Sequence, residues 1–288
     1  MMKPRAVVFV VVTVIFLAFS LSHANATLPI DSPPLTDQQI ADFEGKAAHG
    51  DVEAQKRLGL IYFVPDYWDL KSSTPKEMHK ARGDNKEALK YFMQAAQSGD
   101  ALAQTYVGFI YDNGKGVDRD YKAALKWYKM AEAQGFSAAQ DLIGRMYRDG
   151  HGVPQNYSLA AGFFKKATLQ FYANSQVHLA RLYFTGGLEW PQDYEKAFFW
   201  LVLPENPAWP KGHLFADTLC CEFEDFYNPF YLELKKHLTP EQIAKIRQQV
   251  RDYKMPPRTK WSPPFTPAFA PHQFNKSPPQ PNNLQGQQ

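Results

Sequence analysis

The sequence predicts an all-α chain: a solenoid of antiparallel helix pairs, about four of them, closed by a C-terminal helical cap. Three observations predict it. A phrase recurs at a constant step: Gln104, Gln140 and Gln176 stand 36 residues apart, as do Tyr111, Tyr147 and Tyr183. Repetition at this length is the signature of stacked hairpins. Each period also carries apolar residues at helical rather than strand spacing, such as Ala103, Val107, Ile110 and Tyr111. Finally, the glycine-rich stretches Gly114 to Val117 and Gly150 to Val153 fall between the two helices of a period, where a tight reversal needs left-handed backbone.

Within a period the first helix (helix A) is predicted over Leu102 to Asp112 in the second copy, with the second helix (helix B) starting after Asp120. Asp84, Asp120, Asn156 and Asp193 recur at the start of helix B, where a side-chain oxygen caps the free N–H groups of the first turn. Helix B repeats small and aromatic residues: Ala88, Tyr91 and Ala95; Ala124, Trp127 and Ala131; Ala160, Phe163 and Ala167; Ala197 and Trp200. Rings alternating with alanines are expected to fill notches between hairpins, as core rather than as a ligand cage. The earliest copy, Ala54, Gln55, Gly59 and Tyr62, is separated from the second by an insertion over 63–83.

These residues carry a resemblance. Gly99, Ala103, Gln104, Gly108, Tyr111, Gly114, Gly116 and Val117, with the matching set from Gly135 to Val153, are similar to the Sel1-like repeat, a relative of the tetratricopeptide repeat. The resemblance covers roughly residues 47–203 and implies a right-handed superhelix whose helix A faces line a concave groove. The fourth copy departs from it: Ala180 stands in the glycine position, and the loop reads Gly186, Gly187, Leu188, Glu189, Trp190. Proteins of this kind serve as adaptors, so the resemblance implies a non-enzymatic, protein-binding role without a cofactor.

The flanks organise the rest. Lys3 and Arg5, an uncharged apolar run from Ala6 to Leu21, and Ala24-Asn25-Ala26 match a secretory signal cleaved after Ala26. Export to the periplasm, or secretion, is expected, with no stable membrane insertion once the signal is removed. Residues 27–46 read as a linker and first helix. Pro204, Pro207 and Pro210 end the last repeat, and residues 204–255 are expected to form the cap, with short helices at 212–222 and 229–237. Thr239, Pro240 and Gln242 have the form of a capping box with proline at the first helical position. The tail, 256–288, is rich in Pro, Gln and Asn and is expected to be disordered.

Charge and motifs exclude several function classes. Without Lys3 and Arg5 the formal net charge falls from +3 to +1, and no basic patch marks a nucleic-acid partner. No HExxH, CxxC pair or nucleophile-elbow serine occurs. Gly108 to Lys115 has the wrong glycine spacing for a phosphate loop. Cys220 and Cys221 are neighbours, a pairing that needs distorted backbone, and read as buried apolar residues. With His213, Glu222, Glu224 and Asp225 they form the nearest approach to a metal cluster, better explained as an acidic cap edge; no metal site is assigned.

Surface is what remains. On helix A the variable positions after the glutamine pair at i and i+4, on one face: Lys56 and Leu60, Thr105 and Phe109, Asp141 and Arg145, Val177 and Arg181. Arg57, Tyr106, Leu142 and His178 flank them, while Ile61, Ile110, Met146 and Leu182 are expected in the core. The candidate partner-binding residues are Lys56, Tyr106, Phe109, Asp141, Arg145 and Arg181. Tyr67 and Trp68 in the insertion join them as an aromatic tip beside Lys71, Lys76, Lys80 and Arg82. The function expected is a monomeric, exported scaffold for a protein partner. The alternatives are an immunity protein against a secreted toxin and, with little support, an envelope hydrolase or peptidoglycan-binding module.

Overall fold

The structure, a computed structural model, describes residues 36–63, 84–187, 190–209 and 228–256. The expected signal and linker up to residue 35, insertion residues 64–83 with Tyr67 and Trp68, the helix expected at 212–222, Cys220 and Cys221, and the tail from 257 lie outside the described residues. The rest is helical. In order, the elements are α1 (Asp37–Ala48), α2 (Val52–Tyr62), α3 (Asn85–Gln97), α4 (Ala101–Asn113), α5 (Tyr121–Glu132), α6 (Ser137–Asp149), α7 (Tyr157–Thr168), α8 (Ala173–Thr185), α9 (Tyr194–Leu201), a 3₁₀ turn (Leu203–Glu205), α10 (Asn228–Lys235) and α11 (Pro240–Asp252). Each helix packs on the next through α9, and α9 then packs on α10 and α11. The pairs α2–α3, α4–α5, α6–α7 and α8–α9 are the predicted repeats, with α1 covering the first.

Local chemistry sets the boundaries. All four predicted helix B caps accept from a first-turn backbone N–H: Asp84 from Lys86, Asp120 from Ala123, Asn156 from Leu159 and Asp193 from Lys196, at 2.8–2.9 Å. Helix A ends on Gly114 and Gly150 at φ 65° and 73°, the left-handed backbone that the reversal requires. At the turn before helix A, Gly99 and Gly135 also have positive φ, but the next copy puts Phe171 there at φ 65°. A ring costs more than glycine in that region, and Phe171 meets Trp209 edge-on at 5.0 Å, a contact that offsets the cost. In the fourth copy's altered loop, Gly187 and Trp190 form an isolated antiparallel bridge.

Pair packing explains the repeated glycine. A methyl group on Gly59, Gly108 or Gly144 would lie 2.5–2.7 Å from the ring of Phe92, Tyr128 or Phe164, so in each copy the glycine is the floor of a ring pocket. This corrects the predicted packing by one residue. The notch-filling rings are Phe92, Tyr128 and Phe164, wholly buried, whereas Tyr91, Trp127 and Phe163 are half-buried at the edge. In the fourth copy Ala180 takes the glycine position and Leu201 the ring position, both buried: a larger floor with a smaller filler.

The repeated glutamine ties one pair to its predecessor. Gln55 Nε2 donates to the Ala47 carbonyl, and Gln104 Nε2 to the Ala96 carbonyl, both at 3.2 Å. Gln134 and Gln170 reinforce the next two, donating to Gln104 Oε1 and Gln140 Oε1 at 2.9 and 2.7 Å. Buried amides held this way contribute about 1 kcal/mol each.

The cap is bolted to the last pair. Asn206 Nδ2 donates to the Val250 and Tyr253 carbonyls at 2.6 and 2.8 Å. The helix expected at 229–237 is α10, and the capping box of α11 is present in both directions, Gln242 N to Thr239 Oγ1 and Thr239 N to Gln242 Oε1. A second such box, Thr36 with Gln39, starts α1.

Candidate functional site

Helix A carries the candidate face, and most of it is deeper than the spacing suggests. The second copy has Ala101 through Gly108 all buried. Tyr106, expected in the groove, is wholly buried: its ring stacks on Phe92 at 4.5 Å and 3°, and Phe63 meets it edge-on at 5.3 Å. It is a packing residue, because α3 of the preceding pair covers it. Thr105 is likewise buried, its hydroxyl donating to the Ala101 carbonyl. Lys56 is mostly covered and holds Glu53 at 2.8 Å and Asp100 at 3.2 Å, joining the starts of α2 and α4.

Asp141 is the largest departure. It is 3% exposed, and one of its oxygens receives Ser175 Oγ at 2.6 Å and His178 Nδ1 at 2.9 Å. Burial alone would raise its pKa, but His178 and then Arg145 hold the carboxyl below the usual range, so it is charged. Burial pushes the His178 pKa down, against the pull of Asp141, and the neutral ring donates through Nδ1. The histidine sits against Phe164 at 5.2 Å. Serine and histidine share one carboxylate oxygen, so the histidine does not stand between serine and acid as a nucleophilic triad requires. The three form a clamp between α6 and α8, 37 residues bridged by one charge. Sequence reasoning placed Asp141 on the surface and His178 alone on its helix. The available signal was their separation, one period plus one residue.

Three predicted positions keep access. Phe109 is half-buried, meeting Phe63 edge-on at 6.0 Å. Arg145, one period on, is half-buried and close enough to Asp112 and Asp141 to stabilise both as anions. Asp112, one turn beyond Phe109, accepts from the Tyr128 hydroxyl at 3.3 Å, and burial raises its pKa despite Arg145. Arg181 is half-buried, but its guanidinium lies over the Phe230 ring at 5.2 Å and helps seat α10. The accessible row therefore runs Leu60, Phe109, Arg145, Arg181, apolar at one end and cationic at the other. Of the expected core set, Ile110, Met146 and Leu182 are buried, while Ile61 is half-exposed.

No other chemistry gathers here. Among the described residues no group of three His, Cys, Asp or Glu side chains is placed to hold a metal. Lys115 lies within a repeat loop with its ammonium over the Phe63 ring at 5.7 Å, and His151 stacks on Tyr121 at 4.6 Å. No described helix is long and apolar enough to cross a membrane.

The Sel1 repeat model matches residues 79–100, 101–136, 137–170 and 173–202, one helix pair or its second helix at a time. No match was found among curated proteins. Among solved structures, a Sel1 repeat protein from Oxalobacter formigenes is 25% identical with a TM-score of 0.47, over 58% of this chain and 44% of that one. A protective antigen present in uropathogenic Escherichia coli strains, with an SLR fold, is 22% identical with a TM-score of 0.38, over 87% and 54%. An immunity protein from Pseudomonas aeruginosa is 16% identical with a TM-score of 0.29, over 87% and 92%. The chain thus spans about half the length of the first two, 44% and 54%, and none of the three overlays closely enough to carry a functional conclusion. The last three matched stretches coincide with helix pairs seen in the structure and the first with the second helix of its pair, so the chain carries four Sel1 repeats.

Proposed function

We propose that the protein is an exported, non-enzymatic scaffold that holds a partner protein against the C-terminal halves of its helix A row. Sel1 repeat proteins generally mediate protein–protein interaction, and their fold is typically a non-catalytic scaffold. One observation carries the siting: on a face mostly buried, Phe109 and Arg145 stay accessible one period apart in the middle of the row, an aromatic and a guanidinium on packed helices. Such residues anchor interfaces, and a preformed row loses little freedom on binding. Export is supported by the charged start, apolar run and Ala24-Asn25-Ala26 of the leader.

The test is affinity capture from the cell envelope with residues 27–288 as bait, alongside the Phe109→Ala/Arg145→Glu double variant. The reading expects a stoichiometric partner on the parent chain and its loss on the variant, with helicity by circular dichroism unchanged. Equal capture by both would move the site off this row. A captured partner that is a toxin would make the role immunity, and an N-terminus other than Thr27 on the mature protein would overturn the cleavage position.

A further inference from the structure

The last helix of the solenoid has two unlike faces. Ile246 and Val250 are buried on the side where α11 meets α9. On another side Pro240, Ile243, Ala244, Arg247 and Arg251 follow one another at helical spacing, and with Lys235 from the end of α10 they line a cleft of about 480 Å³. Its floor is apolar (Pro240, Ile243, Ala244) and its rim holds three cations.

Those cations are incompletely neutralised. Arg247 reaches Glu205 at 3.3 Å and donates to the Tyr231 hydroxyl at 3.1 Å. Lys235 Nζ lies over the Tyr231 ring at 5.4 Å, and Arg251 donates to Gln248 Oε1 at 2.7 Å. Among the described residues neither Lys235 nor Arg251 forms an ion pair. Glu205, close to both Arg247 and Arg251, sets one negative charge against the three cations, while Glu233 holds Lys236 at 2.7 Å and Asp252 accepts from Gln248 at 2.9 Å.

We propose that this cleft docks an acidic amphipathic helix of another protein, its apolar side chains on Ile243 and Ala244 and its carboxylates on Lys235, Arg247 and Arg251. The spacing of the stripe is that read by a helix laid in a groove. Charge selects the occupant. The chain's own tail, 257–288, carries Arg258, Lys260 and Lys276 and no acid, so it would bring like charge to the rim. A second copy meeting it through the same end would bring the same three cations, since a two-fold contact pairs a patch with itself. An acidic partner alone satisfies both floor and rim. This surface is separate from the helix A row.

The probe is a labelled helical peptide with leucines on one face and glutamates beside them, titrated against the full chain by fluorescence anisotropy. Saturable binding is expected, weakening as salt is raised. Its affinity falls at least about tenfold in Lys235→Glu/Arg251→Glu, the scale set by reversing two rim charges, and stays the same in Phe109→Ala. Lys235→Gln/Arg251→Gln, which removes charge without reversing it, falls between. The same peptide with glutamine for glutamate binding as tightly, a reversed variant binding the acidic peptide unchanged, an acidic oligonucleotide outcompeting the peptide, or no binding at all would each overturn the proposal.

Discussion

The interface between the first two pairs and that between the last two fill corresponding positions with opposite chemistry. Where Tyr106 stacks on Phe92 among apolar side chains, the place two periods later is His178, clamped to a buried Asp141. Thr105, Asp141 and Val177 share one position and are respectively a self-satisfied hydroxyl, a charged clamp and an aliphatic plug. The comparison teaches that a repeat fixes where a side chain stands and how much room it has, but not what it is. An apolar seam tolerates the loss of a partner in proportion to the cavity left. A charged seam fails sharply, because a buried charge without its partners has no compensation.

That contrast can be broken most forcefully at the clamp. Asp141→Ala, which strands the buried Ser175 hydroxyl and the His178 imidazole, is expected to lower unfolding stability by about 2–5 kcal/mol in urea titration. The triple variant Asp141→Thr, Ser175→Ala, His178→Leu writes in the residues of preceding copies (Thr105, Ala139, Leu142) and is expected to lose less than the single change. A triple variant worse than the single would mean that the charged seam is the better-packed one.

Next in size is the ring pocket. Gly144→Ala is expected to cost about 1–3 kcal/mol, since its methyl would lie 2.7 Å from Phe164. Adding Phe164→Leu reproduces the fourth copy's Ala180 with Leu201, so the double variant should recover part of the loss. A double variant whose cost equals the sum of the singles would show that the two positions are not coupled.

Acid sharpens the comparison more gently. His178 binds its proton less readily in the fold than in the unfolded chain, where its pKa is about 6.5. Its contribution is therefore whole above that pH and is withdrawn as pH falls through it, by up to about 1.4 kcal/mol per unit. Asp141, also lowered, adds a second loss only below about pH 4. His178→Gln should flatten the stability profile between pH 7 and pH 5, and an unchanged slope would assign that dependence to other groups. The smallest effect belongs to the cap: Thr239→Ala should cost about 1 kcal/mol by thermal unfolding, without altering the repeats.

Much of the fold was legible because its signals are local. Caps at Asp84, Asp120, Asn156 and Asp193, the glycine reversals and the Thr239 box each act within four residues or so, and spacing reads them directly. The ring pocket was misread by one residue, because Tyr91 and Phe92 are both aromatic and only the partner glycine, a helix away, says which one enters. The candidate face was the least legible. Periodicity identifies which residues share a side of helix A, yet Tyr106 and Asp141 are buried by the neighbouring pair, a fact settled between helices rather than within one. The clamp required a contact 37 residues long between side chains that no local rule pairs.

The glutamine ties have a directional consequence. Gln55 and Gln104 each reach backward to the preceding helix, tying α2 to α1 and α4 to α3. Gln176 instead turns forward and donates to Leu201 within its own pair, at 2.6 Å. Between that pair and the one before it, Asp141 makes the tie with Ser175 and His178. The tie there is a clamp whose histidine takes up a proton in acid, whereas the amide ties do not titrate, so acid is expected to weaken this contact ahead of those held by glutamine.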